Sequence, residues 1–293
     1  MSNFLTAKQI SAVAVDLLAR NLVLPNTVTR NSANEFAGDN GDTVTVRVRQ
    51  PGEARTQATP GAQITYDDIN EVAVDVQLSH LYHATKITDE ALSLELVDFA
   101  SQVTAIQVDA VATRAEDQLA GVMNGLSTDE SIASNGSDVG DKILEAREAL
   151  GAANVPAGDR FLAVSPQVAT FLLNEDKFVK VNESGTDSAL RDAIIGRLYG
   201  FTVVESNALA SGTAVAYHRS GFVFANRVPV APRGANDSAS ASSGGVGLRQ
   251  IFQYSPDHLS DASVISTFAG AAAVEGEDAT PDSPRIFKLS TSA

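Results

Sequence analysis

The chain has 293 residues, with 21 Lys and Arg against 36 Asp and Glu, a net charge of −15 and no cysteine. At roughly 150 residues per domain, that length predicts one large domain or two modest ones. The missing cysteines exclude disulfide scaffolds, thiolate zinc sites and cysteine nucleophiles, and the charge disfavours a protein that grips nucleic-acid phosphates. No stretch approaches the ~20 consecutive apolar residues that span a bilayer. The first twenty residues read as no secretory signal, because Lys8, Gln9, Asp16 and Arg20 interrupt their apolar positions. Acidity is spread along the chain: residues 1–126 hold 8 basic and 16 acidic side chains (−8), and the remainder 13 and 20 (−7). Residues 1–34 depart from it, with Lys8, Arg20 and Arg30 against Asp16 alone, a charge pattern suited to an arm that faces a partner or a lumen.

Residues 4–24 place Leu5, Ile10, Val13, Leu17 and Leu18 at helical spacing and stop at Pro25. After the turn signal Gly38-Asp39-Asn40-Gly41-Asp42 the period becomes two. Val44, Val46 and Val48 alternate with Thr45, Arg47 and Arg49, and a second alternation runs through Val72, Val74, Val76 and Leu78. The two runs predict a long hairpin with no core of its own, which is marginal alone and makes sense if another chain covers it.

Thr88-Asp89-Glu90 has the character of a helix start. From about Leu96 to Met123 an apolar stripe runs with no Pro or Gly before Gly121, which predicts a rod nearly 40 Å long at 1.5 Å per residue. Residues 128–140 read as a polar loop and Lys142–Leu150 as a helix with Ile143, Leu144, Ala146 and Leu150 inward. Arg160–Val164 reads as a buried strand, followed by a helix that Ser165-Pro166 opens. A short helix is expected at 189–195, and strands at 201–205, 214–218 and 222–224. Residues 235–247, ANDSASASSGGVG, read as a mobile low-complexity loop. Strands are expected at 248–254 and 262–268, then an acidic proline-containing stretch and RIFKLS as a last strand or an ordered terminal peptide.

Catalytic patterns are weak. His80 and His83 form H-x-x-H, but residues three apart on a strand face opposite ways, so one ion cannot hold both. His218 and His258 lack a neighbouring pattern that marks a base, and Ser165 precedes a proline where a nucleophile elbow needs an exposed tight turn. The Asp39–Asp42 run lacks the spacing and terminal glutamate of a calcium loop. Ser243–Gly247 is glycine-rich without a phosphate-loop lysine. Asp67-Asp68 and Glu116-Asp117 are adjacent pairs, which do not aim two carboxylates at one atom. These residues predict no enzyme, no cofactor and no metal.

The order of parts (helical arm, extended hairpin, long helix, central α/β module, returning strands) resembles the major capsid proteins of tailed bacteriophages with the HK97-type fold. Within that group it is most similar to the P22-coat-like proteins common in phages of actinobacteria. The segments that carry the likeness are GDTVTVRVRQPG, VAVDVQLSHLYHATKITDEALSLELVDFASQV, FLAVSPQVATFLL and LRDAIIGRLYGFTVVESNAL. The resemblance implies an α+β shell subunit divided into an N-terminal arm (1–36), an extended hairpin or E-loop (37–90), a peripheral domain with a spine helix (91–137), an axial domain (138–247), and returning peripheral strands with a C-terminal tail (248–293). It further implies hexamers and pentamers of many copies, a separate scaffolding protein, a portal and decoration proteins as partners. The same resemblance implies a shell that encloses double-stranded DNA without reading its sequence, and a place in the virion capsid after assembly in the host cytoplasm. Some relatives weld their subunits through a hairpin lysine, but this chain has no lysine between Lys8 and Lys86. Non-covalent contacts from Arg47, Arg49, Arg55, Tyr66, Asp67 and Asp68 are the expected substitute. The rival readings are an encapsulin-like nanocompartment shell and, from another class, a soluble hydrolase using His80, His83 or His218.

Overall fold

The structure is a computed structural model, and it describes residues 14, 22–31, 43–49, 56–57, 61, 63, 66, 71–90, 103–174, 196–232, 234, 237–243, 246–274 and 285–292. Of the N-terminal helix expected at 4–24, Ala14 falls within this set as a buried α-helical residue, and Leu24 opens a short 3-10 turn, Leu24–Asn26, that contains Pro25. The helix expected at 189–195 lies outside it.

Among the described residues, three β-sheets and one long helix organise the chain. The first sheet contains β1 (Thr29–Asn31), β4 (Ser79–Thr88), β10 (Phe222–Arg227), β11 (Asp237–Ser243), β12 (Val246–Ser255) and β13 (Ser260–Ala273). Its axis is β13, which pairs along one edge with β4. Along the other edge it pairs first with β12, at Ser260–Ser266, and then with β10, at Phe268–Ala273. The change of partner falls at Thr267, where Asn226 holds the joint. Its amide nitrogen donates to Thr267 Oγ1 (2.8 Å) and Phe268 O (3.1 Å), and its amide oxygen accepts from Gly247 N (2.6 Å).

The rod is helix α1 (Ala105–Gly125). Val108, Val111, Ala112, Ala115, Leu119 and Met123 are buried on it and meet Leu81, Ile265, Ala269, Phe222, Phe224 and Leu248 of the sheet. Its first turn rests on polar ground instead. The fully buried Gln107 donates to Ser263 O (2.8 Å) and Thr85 Oγ1 (3.2 Å) and accepts from Ser263 Oγ (2.9 Å). At 21 residues, α1 spans about 31 Å at 1.5 Å per residue; residues 91–102, into which the expected rod extended, lie outside the described set.

The second sheet runs β5 (Glu130–Ile132), β14 (Ile286–Thr291), β9 (Thr213–His218), β6 (Arg160–Val164), β8 (Phe201–Glu205) and β7 (Arg197–Leu198). Helices α2 (Val139–Ala152) and α3 (Pro166–Leu173) pack on it through Ile143, Ala146, Leu150, Val168 and Leu172. Leu144, expected inward, is only half-buried. RIFKLS is thus a strand of this sheet, whereas β10 and β11 belong to the first sheet.

Two expectations are corrected. Residues 128–140 are not all loop: Glu130–Ile132 pairs in parallel with β14, and the buried Ile132 anchors it. The Ser/Ala run at 235–247 is not a free loop either, because Asp237–Ser243 pairs with β12 in unbroken register. Small alternating residues suit an edge strand: Ala241 packs against the first core while the backbone satisfies itself on β12.

Candidate assembly interface

The third sheet is the hairpin of β2 (Thr43–Arg49) and β3 (Glu71–Gln77), paired from Thr43↔Gln77 to Arg49↔Glu71. Period-two valines make it amphipathic. Val44, Val46, Val74 and Val76 are buried against Val223, Ala225 and Val274, so the ribbon covers the β10 end of the first sheet. Gly270 permits that approach. A side-chain carbon there would collide with Gln77 O and lie 3.0 Å from the Gln77 carbonyl carbon and 3.1 Å from Val76 Cγ1. Thr45 and Asp75 bond across the opposite face through Thr45 Oγ1 and Asp75 Oδ1 (2.6 Å).

Of the residues expected to meet a neighbour, only Tyr66 is described with its side chain. Arg47 and Arg49 stand on β2 opposite Ala73 and Glu71, and their side chains lie outside the described set. Arg55, Asp67 and Asp68 also lie outside it. Tyr66 is 85% exposed.

The histidines and serines behave as structural groups. His80 and His83 do face opposite sides of β4: the His80 ring lies 4.6 Å from that of Phe268 on the open face, and His83 turns toward α1. His218 Nδ1 meets Ser220 Oγ (2.8 Å) and accepts from Ser220 N (3.2 Å), a cap on the turn Arg219–Gly221. Burial and then Arg285 hold the His218 imidazole below its ordinary pKa. Ser165 is buried as the residue before α3. Among the described residues no three His, Asp or Glu side chains group to hold a metal, and no described helix is long and apolar enough to cross a membrane.

Sequence reasoning missed the groups that bind the parts to one another. Lys288 on β14, only 7% exposed, donates from Nζ to Asn124 O and Leu126 O (both 2.7 Å) at the C-terminal end of α1. Its backbone N–H donates to Asp129 Oδ2 (2.6 Å). Burial lowers the Lys288 pKa, and Asp129 opposes that shift. Tyr217 is buried with its hydroxyl against Thr27 Oγ1, and desolvation raises its pKa. A lone lysine in a C-terminal strand and a lone tyrosine carry no spacing signal by which such roles could be read.

A sheet braced by a rod-like helix, a second α/β sheet, and a β-ribbon that buries only one face define a shell-building subunit of the HK97 type. The chain belongs to the phage capsid protein family, whose sequence model matches residues 71–246, more than half of its length. No curated protein matches significantly. Among solved structures it is similar to that of Mycobacterium phage Che8 (22% identity, 92% of this chain and 90% of that one, TM-score 0.65) and to the capsid of Ralstonia phage GP4 (11%, 91% and 87%, 0.61). It is also similar to a virus-like particle from Pyrococcus furiosus (12%, 96% and 97%, 0.55). At these identities the likenesses carry the fold, which the Pyrococcus particle shares, and the family match carries the capsid role. The protein is therefore a structural capsid subunit of the virion, and neither the nanocompartment nor the hydrolase reading is favoured.

Proposed function

We propose that copies of this chain, as hexamers and pentamers, build the icosahedral shell that encloses the double-stranded DNA of a tailed phage. The observation that carries this reading, beside family membership, is the hairpin. Val44, Val46, Val74 and Val76 are buried against the β10 end of the first sheet, while Thr45, Ala73 and Asp75 on the other face are exposed and the paired ribbon continues to Arg49 and Glu71. A two-stranded ribbon is marginal in water, so its outer length gains from a neighbouring copy. Arg47, Arg49, Arg55, Tyr66, Asp67 and Asp68 supply the inter-subunit contacts on this reading, with the arginines meeting acidic groups of the next subunit. With no lysine between Lys8 and Lys86, clamping is non-covalent.

The domain division accompanies the same proposal: arm 1–36, hairpin 37–90, spine region 91–137, axial module 138–247 and returning strands 248–293, with β10 and β11 of the fourth segment crossing into the first sheet and β14 of the fifth into the second. A separate scaffolding protein and a portal are the further partners on this reading. The net charge of −15 suits a container, because a surface that does not hold phosphates lets the duplex slide during packaging.

Electron microscopy of the expressed chain, with and without its scaffold, tests the proposal. Closed particles are expected, running as single subunits on denaturing gels. A small soluble oligomer under both conditions contradicts the shell, and a covalent ladder contradicts the non-covalent clamp.

A further inference from the structure

The face of the first sheet turned away from α1 is covered by the hairpin at the β10 end, is overlaid by Val228 and Val230 beside Gly247 and Arg249, and is exposed along β4. Register places Val223 and Ala225 of β10 under the hairpin root. Further along the same face stand His80, Tyr82, Ala84 and Lys86 of β4, Phe268, Val264 and Ala262 of β13, Arg249 and Ile251 of β12, and Arg227 of β10. Two sets of interactions confirm the shared face: the rings of His80 and Phe268 lie 4.6 Å apart, and Arg249 donates to Ser266 Oγ at 3.1 Å and to Val230 O at 2.6 Å. Tyr82 is 69% exposed, and His80, Ala84 and Lys86 lie beside it on the strand. Arg249 is partly desolvated, and its pKa is lowered for that reason.

On a chain of net charge −15, the described strand residues of this face carry Lys86, Arg227 and Arg249 and no carboxylate. The densest acidic run in the sequence is 275–284, EGEDATPDSP, with Glu275, Glu277, Asp278 and Asp282 and no base. We infer that the cationic face is the docking site for residues 275–284 of a second copy. This rests on the shell reading for the presence of neighbours.

Reach excludes the chain's own run from the Lys86 end of the face, whereas Arg227, opposite Phe268 and six residues or about 20 Å from Val274, stays within it. Its two anchors sit together, since Val274 N donates to Gly221 O (2.8 Å) and His218 N donates to Arg285 O (3.0 Å), with Gly221 and His218 in one turn. Ten residues between those anchors give at most about 37 Å of chain, hence about 19 Å out and back. Ser266, opposite Arg249, is eight residues up β13 from Val274, or about 26 Å, and Ala262, opposite Lys86, is twelve, or about 40 Å. Charge complementarity and chain length thus select a partner in trans for the Lys86 end, where the carboxylates meet cations and the rings of Tyr82 and His80 pack on the segment's prolines and alanine.

Two readouts test this. In the first, a labelled peptide of residues 274–285 is titrated into dissociated subunits. It binds, binding weakens as salt rises, and Lys86→Glu weakens it by up to about fivefold, the scale of a single exposed ion pair. A peptide with its four acids replaced by Gln and Asn does not bind. In the second, particle yield falls for Lys86→Glu and for Glu277→Lys/Asp278→Lys, and the combined charge-swapped chain recovers. Lys86→Gln, which introduces no opposing charge, falls less than Lys86→Glu. Absence of peptide binding, or equal binding by the neutral peptide, overturns the inference. So does recovery of Lys86→Glu by Asp67→Lys/Asp68→Lys in place of the 277/278 change, which assigns the face to the hairpin. Peptide binding by subunits that never form particles retains the docking site and defeats only the shell reading.

Discussion

Gly270→Ala isolates the junction on which the ribbon depends, because two effects of opposite sign compete there. In an open strand the extra methyl stabilises, since glycine costs roughly 0.5–1 kcal/mol relative to alanine in a regular element. At Gly270 the methyl collides with Gln77 O and lies within 3.0 Å of the Gln77 carbonyl carbon and 3.1 Å of Val76 Cγ1. Carbon atoms in van der Waals contact relax only near 3.5–4.0 Å, so the hairpin root must shift by on the order of 1 Å. The obstacle is backbone, with no flexible side-chain end to swing aside. Overpacking of this kind costs about 1–3 kcal/mol, which outweighs the glycine term. The shift also loosens Val44, Val46, Val74 and Val76 from Val223 and Ala225. Urea denaturation of dissociated subunits is expected to show a loss of about 1–2 kcal/mol, and particle yield is expected to fall because the ribbon is re-aimed. A Gly270→Ala subunit that is more stable than its parent, or equally stable and equally competent in assembly, refutes the reasoning.

Gln250 is fully buried and its amide meets no hydrogen-bond partner, so Gln250→Met is expected to stabilise subunits by about 1 kcal/mol in denaturant, since an unpaired buried amide is worse than a thioether of similar volume. Asn226→Ala removes three bonds at the joint where β13 changes partner, and a loss of about 2–3 kcal/mol is expected in the same assay, chiefly from the orphaned Gly247 N–H. His218 has a folded pKa held below its unfolded value near 6.5 by burial and Arg285. The unfolded chain therefore binds more protons between the two values, and the stability present above pH 6.5 is lost as pH falls through that window. His218→Gln is expected to narrow the difference in urea midpoint between pH 7.5 and pH 5; an unchanged difference contradicts this.

The elements legible in the sequence are those whose pattern is their own cause. Alternating Val44, Val46 and Val48 specify β2 wherever it lands, and a run free of Pro and Gly specifies most of α1. Ser165-Pro166 opens α3 at the expected residue. The elements that failed are defined by partners far away in sequence. Ser/Ala residues 237–243 have no periodic contrast, and they become a strand because β12 offers an edge. Glu130–Ile132 is too short to announce itself and is held by β14, more than 150 residues later. The identity of Gly270 as the place where the ribbon crosses β13 is set by Gln77, and no local rule marks it. At the interface, the hairpin was readable from its alternating valines. The cationic face was not, because Lys86, Arg227 and Arg249 come together only through the register of β4, β10, β12 and β13.

The most direct measurement is sedimentation velocity of the intact chain beside a chain in which residues 44–76 are replaced by two glycines, each expressed with its scaffold and checked for folding by circular dichroism. Intact chain that sediments as particles, with the shortened chain folded but confined to subunits or small oligomers, is the outcome that a ribbon completed only by neighbours requires. Closed particles built from the shortened chain contradict it.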